Sequence, residues 1–242
     1  MGLVNLPSPR WGEGSASLAL SPLGRGLKGE GKSRHIGTPL PSPETIQVGT
    51  SSAPKKRVFL TFDDGPCDPF TAQVLDVLKD NGARATFFVC GMNVERYPTL
   101  ARRVVGEGHS IGNHTYSHSK ARAFTGIWGN EIERAQAAIE AITGVQTRTF
   151  RPPWGLMRPW LARRLEASGY RCYLWDMWAR DWEKPGRAVI ARRVVDRVRP
   201  GSIVLLHDGE KALAATDRSQ TVLALQDIIA ALARQGYSFE AL

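Results

Sequence analysis

The sequence lacks several features that would assign the chain to large classes of protein. None of its 242 residues belong to an apolar run approaching the roughly 20 residues that a membrane-spanning helix needs. The N-terminus has no apolar segment followed by a small-residue cleavage site, so it does not resemble a secretory signal. We therefore expect no membrane span, and a cytoplasmic location is the default expectation.

Cysteine is scarce as well. The chain has three cysteines, Cys67, Cys90 and Cys172, an odd number at spacings that fit no common disulfide framework. The fold must therefore be stabilised by an apolar core. Residues 58–242 are enough for one domain with a full core.

Acidic residues are outnumbered by basic ones, and the formal net charge is +9. More than half of this excess lies in residues 1–57, which hold eight Lys or Arg against three Glu. Residues 58–242 are only weakly basic, whereas a nucleic-acid-binding domain needs a basic face of its own. We therefore expect no nucleic-acid partner.

Residues 1–55 are dominated by Gly, Pro and Ser and show neither a helix period nor a strand period. Such a composition predicts a disordered, low-complexity tail or linker. The other interpretation is that this segment is upstream sequence read through in frame and that the true start lies nearer Val48. We expect the folded domain to occupy residues 56–242.

From Arg57 onward, short β-branched or aromatic runs alternate with longer amphipathic ones. The predicted strands are 57–62, 85–89, 109–113, 148–151, 170–175, 202–206 and 237–240. The predicted helices are 70–81, 98–106, 129–143, 159–168, 187–198 and 221–235. This alternation predicts an α/β protein with a parallel sheet, either doubly wound or closed as a barrel.

Two polar motifs follow predicted strands. Asp63 and Asp64 close the first strand, and His114 and His118 come about fifty residues later. Each motif alone is typical of ordinary turns or chance neighbours on a helix face. One Asp and two His together, however, can supply three ligands to a catalytic divalent metal, while the second Asp is available as a base. The pair of motifs therefore predicts a metal-dependent hydrolase.

Three further motifs occur later in the chain: Arg151-Pro152-Pro153-Trp154-Gly155, Asp181-Trp182, and Ile203-Val204-Leu205-Leu206-His207-Asp208. Taken singly, each has a structural interpretation: an arginine paired with a buried carboxylate, a surface turn, and a hydrogen-bonded histidine at a strand end. In this order and at these spacings, the five motifs resemble the polysaccharide deacetylases, the NodB-homology domains of carbohydrate esterase family 4. The resemblance runs from about Val58 to about Leu242.

The resemblance implies a fold and an activity. The fold is a distorted (β/α) barrel of about seven parallel strands, with the active site at the C-terminal ends of the strands, where barrel active sites gather. The activity is removal of N-acetyl groups from N-acetylglucosamine-type sugars in chitooligosaccharide, peptidoglycan or a related polysaccharide, with release of acetate. The implied partner is therefore an acetylated oligosaccharide or polysaccharide.

The resemblance also implies metal-binding and base residues. Asp64, His114 and His118 correspond to the metal ligands, Asp63 to the catalytic base, and Arg151 to the arginine beside that base. The implied cofactor is a divalent metal, Zn²⁺ first, with Co²⁺ or Ni²⁺ as alternatives. Such an ion polarises the carbonyl oxygen and lowers the pKa of bound water to about 7, which an unreactive acetamide requires.

A second group of residues corresponds to the acid and the substrate contacts. His207 matches the catalytic acid, and Asp181 matches the carboxylate that orients it. Trp154 stands where the family usually has an aromatic residue whose backbone N–H helps to bind the oxyanion. Trp182 and Leu205 match the walls of the small pocket that receives the acetyl methyl group.

At one position the chain departs from the family pattern. The family usually has another Asp three residues before Asp181, and here that residue is Trp178. We expect the acid to be retained and the substrate contacts to differ. Trp154, Trp178 and Trp182 favour a sugar substrate because flat aromatic faces suit pyranose rings. Two alternatives remain: the same site acting on a small amide or an O-acetyl ester, and a catalytically silent carbohydrate-binding module.

Overall fold

The computed structural model describes residues 56–210 and 217–242 of the chain. The predicted low-complexity tail, residues 1–55, lies outside these residues. In the part of the chain that the structure describes, no helix combines the length and the apolar character needed to cross a bilayer.

One parallel sheet organises the domain. Its strands are β1 (Lys56–Asp63), β2 (Ala85–Val89), β3 (Ser110–Asn113), β4 (Thr149–Phe150), β5 (Arg171–Cys172), β6 (Met177–Trp178), β7 (Ile203–His207) and β8 (Tyr237–Phe239). The order is β5-β4-β3-β2-β1-β7-β6, and β8 pairs with the start of β1. The seven-strand sheet is curled into a half-barrel that stays open between its two edge strands, β5 and β6. The predicted barrel-like fold of about seven parallel strands is confirmed.

The helices are α1 (Phe70–Asp80), α2 (Gly91–Arg96), α3 (Pro98–Gly106), α4 (Lys120–Thr125), α5 (Glu131–Thr143), α6 (Pro159–Ala167), α7 (Arg187–Val195) and α8 (Ser219–Arg234). Two short 3₁₀ helices span Pro153–Gly155 and Asp181–Glu183. The six predicted helices are all present, and α3 has the predicted bounds. The short helices α2 and α4 were not predicted.

Side-chain alternation along β1 separates the core from the site. Leu60 and Phe62 pack into the main apolar cluster of the domain. Since successive side chains of a strand point to opposite faces, Thr61 and Asp63 point to the other side of the sheet. There both accept hydrogen bonds from one side chain, that of Arg151, at 2.7 Å each. The strand thus contributes to the core on one face and to a polar site on the other.

Two apolar clusters stabilise the domain. The larger includes residues of the central strands together with Leu75, Val104, Ile139 and Leu225 from four helices. The smaller lies around α6 and includes Phe150 of β4. Burial of apolar surface on this scale is the main favourable contribution to folding, and it fixes the strand ends relative to one another.

The predicted strand 170–175 is wrong in its extent. Pairing with β4 covers only Arg171 and Cys172, and a separate strand, β6, begins at Met177. The carbonyl oxygens of Tyr173 and Leu174 accept hydrogen bonds from the Arg151 side chain, at 3.2 and 3.1 Å. The Arg151 side chain thus satisfies two carbonyl groups that would otherwise bond to a neighbouring strand, and the sheet is interrupted here.

Helix α2 was missed because its first turn is satisfied by a distant loop. Its N-terminal flanking residue, Cys90, provides no side-chain cap. Instead, the amides of Gly91 and Met92 donate to the carbonyl oxygens of Thr115 and Tyr116, at 3.0 and 3.1 Å. Orphan amides at a helix start are usually capped locally, and that local signal is the one that a sequence displays.

Candidate active site

The residues predicted to form a site meet at the C-terminal edge of the sheet. Asp63 and His207 are the last residues of β1 and β7 and are paired in register. His114 and Arg151 directly follow β3 and β4. Parallel strands all end at the same edge, so these side chains gather at one mouth. A cavity of about 320 Å³ opens there, and Asp63, His114 and His207 line it.

A tight turn after β1 directs the two adjacent aspartates to different partners. Asp64 has a φ of 77°, a left-handed conformation that is uncommon for residues other than glycine. Its amide donates to the Phe88 carbonyl at 3.2 Å, and its carbonyl accepts from Asn93 Nδ2 at 2.7 Å. Gly209 allows the close approach, because a Cβ there would lie 2.9 Å from the Asp64 carbonyl oxygen.

The loop 114–118 carries two histidines and is held in an unusual conformation. Thr115 and His118 have positive φ values of 69° and 49°. The amide of Thr115 donates to Asn113 Oδ1 at 2.9 Å. Between the histidines, Ser117 donates from its amide (2.7 Å) and its hydroxyl to the buried carboxylate of Glu131 in the first turn of α5. These contacts offset the backbone strain that positive φ values introduce.

Asp64, His114 and His118 form a buried group with the composition of a divalent-metal site. Their ligand atoms all lie within 4.8 Å of one another. Asp64 Oδ1 is 3.5 Å from His114 Nε2 and 3.3 Å from His118 Nε2. For a tetrahedral ion with bonds of about 2.1 Å, neighbouring ligand atoms are about 3.4 Å apart. The observed separations fit such an ion.

The hydrogen bonding of the group leaves its lone pairs directed at a common point. His114 Nδ1 is 2.7 Å from the Arg151 carbonyl and must donate to it, so Nε2 carries a lone pair that faces Asp64. Asp64 Oδ1 is buried without a hydrogen-bond partner among the described residues. Two facing acceptors with no proton between them are unfavourable unless a cation lies between them. The residues present therefore fit a divalent cation.

The ionisation states agree with this assignment. Burial lowers the pKa of His118 to about 4, despite the Asp64 charge opposite, so the imidazole is neutral near pH 7. Burial opposes ionisation of Asp64, but the facing histidines outweigh it, and the pKa of Asp64 lies well below its usual value. A neutral imidazole and an ionised carboxylate are the forms that bind a metal.

Asp63 is fixed by an arginine that is wholly buried. Arg151 donates to Asp63 Oδ1 at 2.7 Å, and its guanidinium lies 4.0 Å over the Phe88 ring. The other carboxylate oxygen, Asp63 Oδ2, faces His114 Nε2 at 3.8 Å. A buried charge pair of this kind must be well hydrogen-bonded to persist. Asp63 thus presents one oxygen to Arg151 and the other to the histidine group.

A second buried pair in the cavity joins His207 to Asp181. His207 Nδ1 lies 2.9 Å from Asp181 Oδ1, while Asp181 Oδ2 accepts from the His207 amide and the Thr221 hydroxyl. Burial alone would lower the pKa of His207, but the contact with the Asp181 carboxylate outweighs it and raises the pKa to about 9. The imidazolium is therefore the dominant form near neutral pH.

Apolar side chains complete the cavity wall. Trp154 packs its ring against His118 with centroids 4.2 Å apart, and it also has a positive φ of 56°. Trp182 packs edge-on against the His207 ring, with the ring centroids 5.4 Å apart. Leu205, two residues before His207 in β7, is buried and lines the same cavity. All ten predicted site residues are thus brought to one region.

The structure adds residues that the motifs did not indicate. Trp175, Glu210 and Arg218 line the cavity. Asn93 and Glu131 are buried and hold the turn of Asp64 and the loop of the histidines. Their contacts join segments far apart in the chain, so no local pattern could have indicated them.

Comparison with known proteins agrees with the geometry. The sequence profile of the family described as polysaccharide deacetylase matches residues 50–173. A peptidoglycan-N-acetylglucosamine deacetylase from Bacillus cereus is 41% identical over 189 aligned residues, covering 76% of this chain and 85% of that protein. A chitooligosaccharide deacetylase from Sinorhizobium fredii is 38% identical over 205 residues, covering 82% and 94%.

A solved structure gives the same result for the fold. The peptidoglycan deacetylase PdaC from Bacillus subtilis superposes with a TM-score of 0.68 at 32% identity. The superposition covers 78% of this chain and 88% of that one. Similarity therefore extends over most of the described domain.

Proposed function

Because the chain belongs to the polysaccharide deacetylase family, we propose that it is a metal-dependent hydrolase that removes N-acetyl groups from N-acetylglucosamine-type sugars. The observation that carries the proposal is one cavity that holds a buried Asp–His–His group, an arginine-bound carboxylate and a carboxylate-bound histidine. Peptidoglycan and chitooligosaccharide, the substrates in the names of the two relatives, share the N-acetylglucosamine unit. We assign this activity to residues 56–242.

Asp64, His114 and His118 are the proposed ligands of the cation, which we take to be Zn²⁺, with Co²⁺ or Ni²⁺ able to bind the same mixed N and O donors. When bound, the ion supplies Lewis acidity toward the acetyl carbonyl and toward water. The protein's part is to hold the three donor atoms at fixed separations. The Arg151 carbonyl does this for His114 by fixing its tautomer.

Asp63 is the proposed general base. Its Oδ2 faces the ligand group at 3.8 Å from His114 Nε2, while Oδ1 is held by Arg151. A carboxylate so placed can accept a proton from the attacking water at the oxygen that Arg151 does not occupy. Arg151 is a positioning residue in this scheme, because it touches the base and not the substrate.

His207 is the proposed general acid. Since Nδ1 is committed to Asp181, Nε2 is the nitrogen that can donate a proton to the departing amine. With a pKa of about 9, the ring carries that proton near neutral pH. Base and acid are then different residues on opposite sides of the scissile bond, and each begins in the protonation state that it needs.

Trp154, Trp182 and Leu205 are the proposed substrate contacts. The backbone N–H of Trp154 is assigned to the developing oxyanion, where such a donor typically contributes about 10²–10³ in rate. Trp182 and Leu205 would enclose the acetyl methyl group beside His207. Enclosure by apolar walls also excludes bulk water, which strengthens the electrostatic interactions within the site.

Acetate release tests the proposal. Purified protein is stripped of metal with a chelator, dialysed, and assayed on N-acetylglucosamine oligomers and on peptidoglycan, with and without added Zn²⁺. We expect acetate only in the metal-restored samples. Turnover of an O-acetyl ester or a small amide with none from the glycans would favour the alternative substrate, and glycan binding without any turnover would favour a silent binding module.

A further inference from the structure

Two indole rings stand exposed on one wall of the cavity. Trp178 is 46% exposed and Trp182 is 39% exposed, although both residues line the site. Their ring centroids are 5.9 Å apart, with the planes tilted by 54°. Large apolar side chains are normally buried, and exposed ones that adjoin one another beside a cavity mark a binding surface.

The strand register explains why Trp178 faces the cavity. Its neighbour Met177 belongs to the main apolar core, so Trp178 points to the opposite face of β6. Trp178 pairs in register with Leu205 of β7, and paired residues of parallel strands point to the same side. Trp178 therefore lies beside the proposed acetyl pocket.

The two rings form a continuous path away from the reacting atoms. Trp182 packs edge-on against His207, with ring centroids 5.4 Å apart. Trp178 packs against Trp182, with ring centroids 5.9 Å apart. A ligand group that reacts at His207 lies next to Trp182. A group bonded to it and extending outward along this wall meets Trp178.

The carboxylate nearest to Trp178 in the sequence does not face the cavity side of β6 but is bonded to the start of β7. Asp176, two residues earlier, accepts hydrogen bonds from the Ser202 hydroxyl (2.8 Å) and the Ile203 amide (2.5 Å), at the start of β7. Where the family pattern usually has Asp, this chain has an indole face. The Arg180 guanidinium, two residues after Trp178 in the chain, lies 6.0 Å from the Trp178 ring centroid and is paired with Glu183.

We propose that Trp178 is a stacking platform for the sugar ring next to the one that loses its acetyl group, and that the site therefore binds oligosaccharides in preference to the monosaccharide. This inference rests on the proposed function. The face of an indole is electron-rich, and the ring C–H bonds of a β-linked pyranose present a weakly positive, apolar face that matches it. An uncharged platform of this kind holds the ring without ionic contacts.

The effect should appear in binding rather than in chemistry. Trp178 adjoins Trp182, which in turn adjoins His207, and in this proposal it contacts a sugar ring other than the reacting one, so its contacts are the same in the ground state and the transition state. Interactions of that kind change KM and leave kcat nearly unchanged. For a truncated aromatic anchor, we expect a loss of about tenfold in affinity.

The test separates binding from turnover. N-acetylglucosamine and its β-1,4-linked pentamer are titrated calorimetrically into metal-loaded Asp63→Asn protein, with and without Trp178→Ala. We expect the pentamer to bind about tenfold more weakly to the double variant and the monomer to bind both proteins alike. The proposal is overturned if the pentamer binds both proteins with equal affinity, or if the monomer loses as much affinity as the pentamer does.

Two matched controls complete the experiment. Trp160, on α6, has the same 46% exposure but does not line the cavity, so Trp160→Ala should leave pentamer binding unchanged. Trp178→Phe keeps an aromatic face and should restore most of the affinity. Acetate release by the wild-type enzyme is measured separately, so failure of the proposed reaction and failure of the platform give different results.

Discussion

The carboxylate of Glu131 accepts hydrogen bonds from both the backbone amide and the hydroxyl of Ser117, at 2.7 to 3.0 Å. Ser117 lies between the two histidines of the proposed metal site, while Glu131 begins α5. A buried helix residue thus fixes the loop from which both imidazoles project. Outer-shell contacts of this kind decide how well a set of ligands is preorganised.

We predict that Glu131→Ala lowers Zn²⁺ affinity by about 10- to 100-fold, the range typical of outer-shell partners of metal ligands. The reason is that the loop 114–118, with its two positive φ residues, loses the carboxylate that restrains it. Competition titration against a chromogenic chelator measures the affinity. Glu131→Gln retains one acceptor oxygen and should lose less.

Glu133→Gln is the control for this prediction, since Glu133 is exposed on the same helical turn. It should bind metal as the wild type does. An unchanged affinity in Glu131→Ala, with the protein still folded by circular dichroism, would mean that the loop holds its shape without this contact.

Removal of the metal should abolish turnover reversibly. Since a ligand that binds only the folded state stabilises it, Zn²⁺ should also raise the Tm, whether or not any substrate is present. His118→Ala removes one of the three donors and should weaken metal binding and reduce the Tm shift. Full turnover in protein shown to be metal-free by elemental analysis would contradict the metal assignment.

Asp63→Asn should lower kcat by about 10²–10⁴-fold, since the amide cannot accept the proton of the attacking water. The comparison uses both proteins loaded with metal, which the variant should still bind because the proposed ligands are intact. Asp68→Asn, which changes an exposed carboxylate five residues later in the chain, is the matched control and should be fully active. Equal rates for Asp63→Asn and wild type would reduce Asp63 to a turn residue.

Asp181→Asn should shift the alkaline limb of the pH–rate profile to lower pH. The Asp181 charge holds the pKa of His207 up at about 9, so the acid form is present below that pH and is lost above it. Without that charge the imidazolium is less stable, and the limb should fall by about 1–3 units. Thr221→Val removes a hydrogen bond to Asp181 but no charge, so its profile should shift little.

Deletion of residues 1–50 should leave Tm and kcat/KM nearly unchanged. The segment is rich in Gly, Pro and Ser and offers little apolar surface to bury, so it contributes little to stability. Thermal denaturation and acetate release on the truncated protein check this. A large fall in either quantity would place the domain boundary upstream of residue 56.

Local patterns in the sequence were enough to predict the elements whose ends are set by their own residues. Helix α3 begins at Pro98, a favoured first helical residue, and ends at Gly106, and both bounds are read directly from the chain. Helix α2 and strand β6 could not be read in this way. The first depends on carbonyl groups of the loop after β3, and the second begins where Arg151 has interrupted the previous strand.

The sequence by itself determined which residue types form the site and which strand ends carry them. The motifs follow successive predicted strands, and the ends of parallel strands lie at the same edge of a sheet. Only the tertiary structure decided which atoms meet. It directs Asp63 to Arg151 and Asp64 to the histidines, and it places Trp178 beside Leu205. Those pairings depend on turn conformation, strand register and contacts between segments far apart in the chain, and no local pattern encodes them.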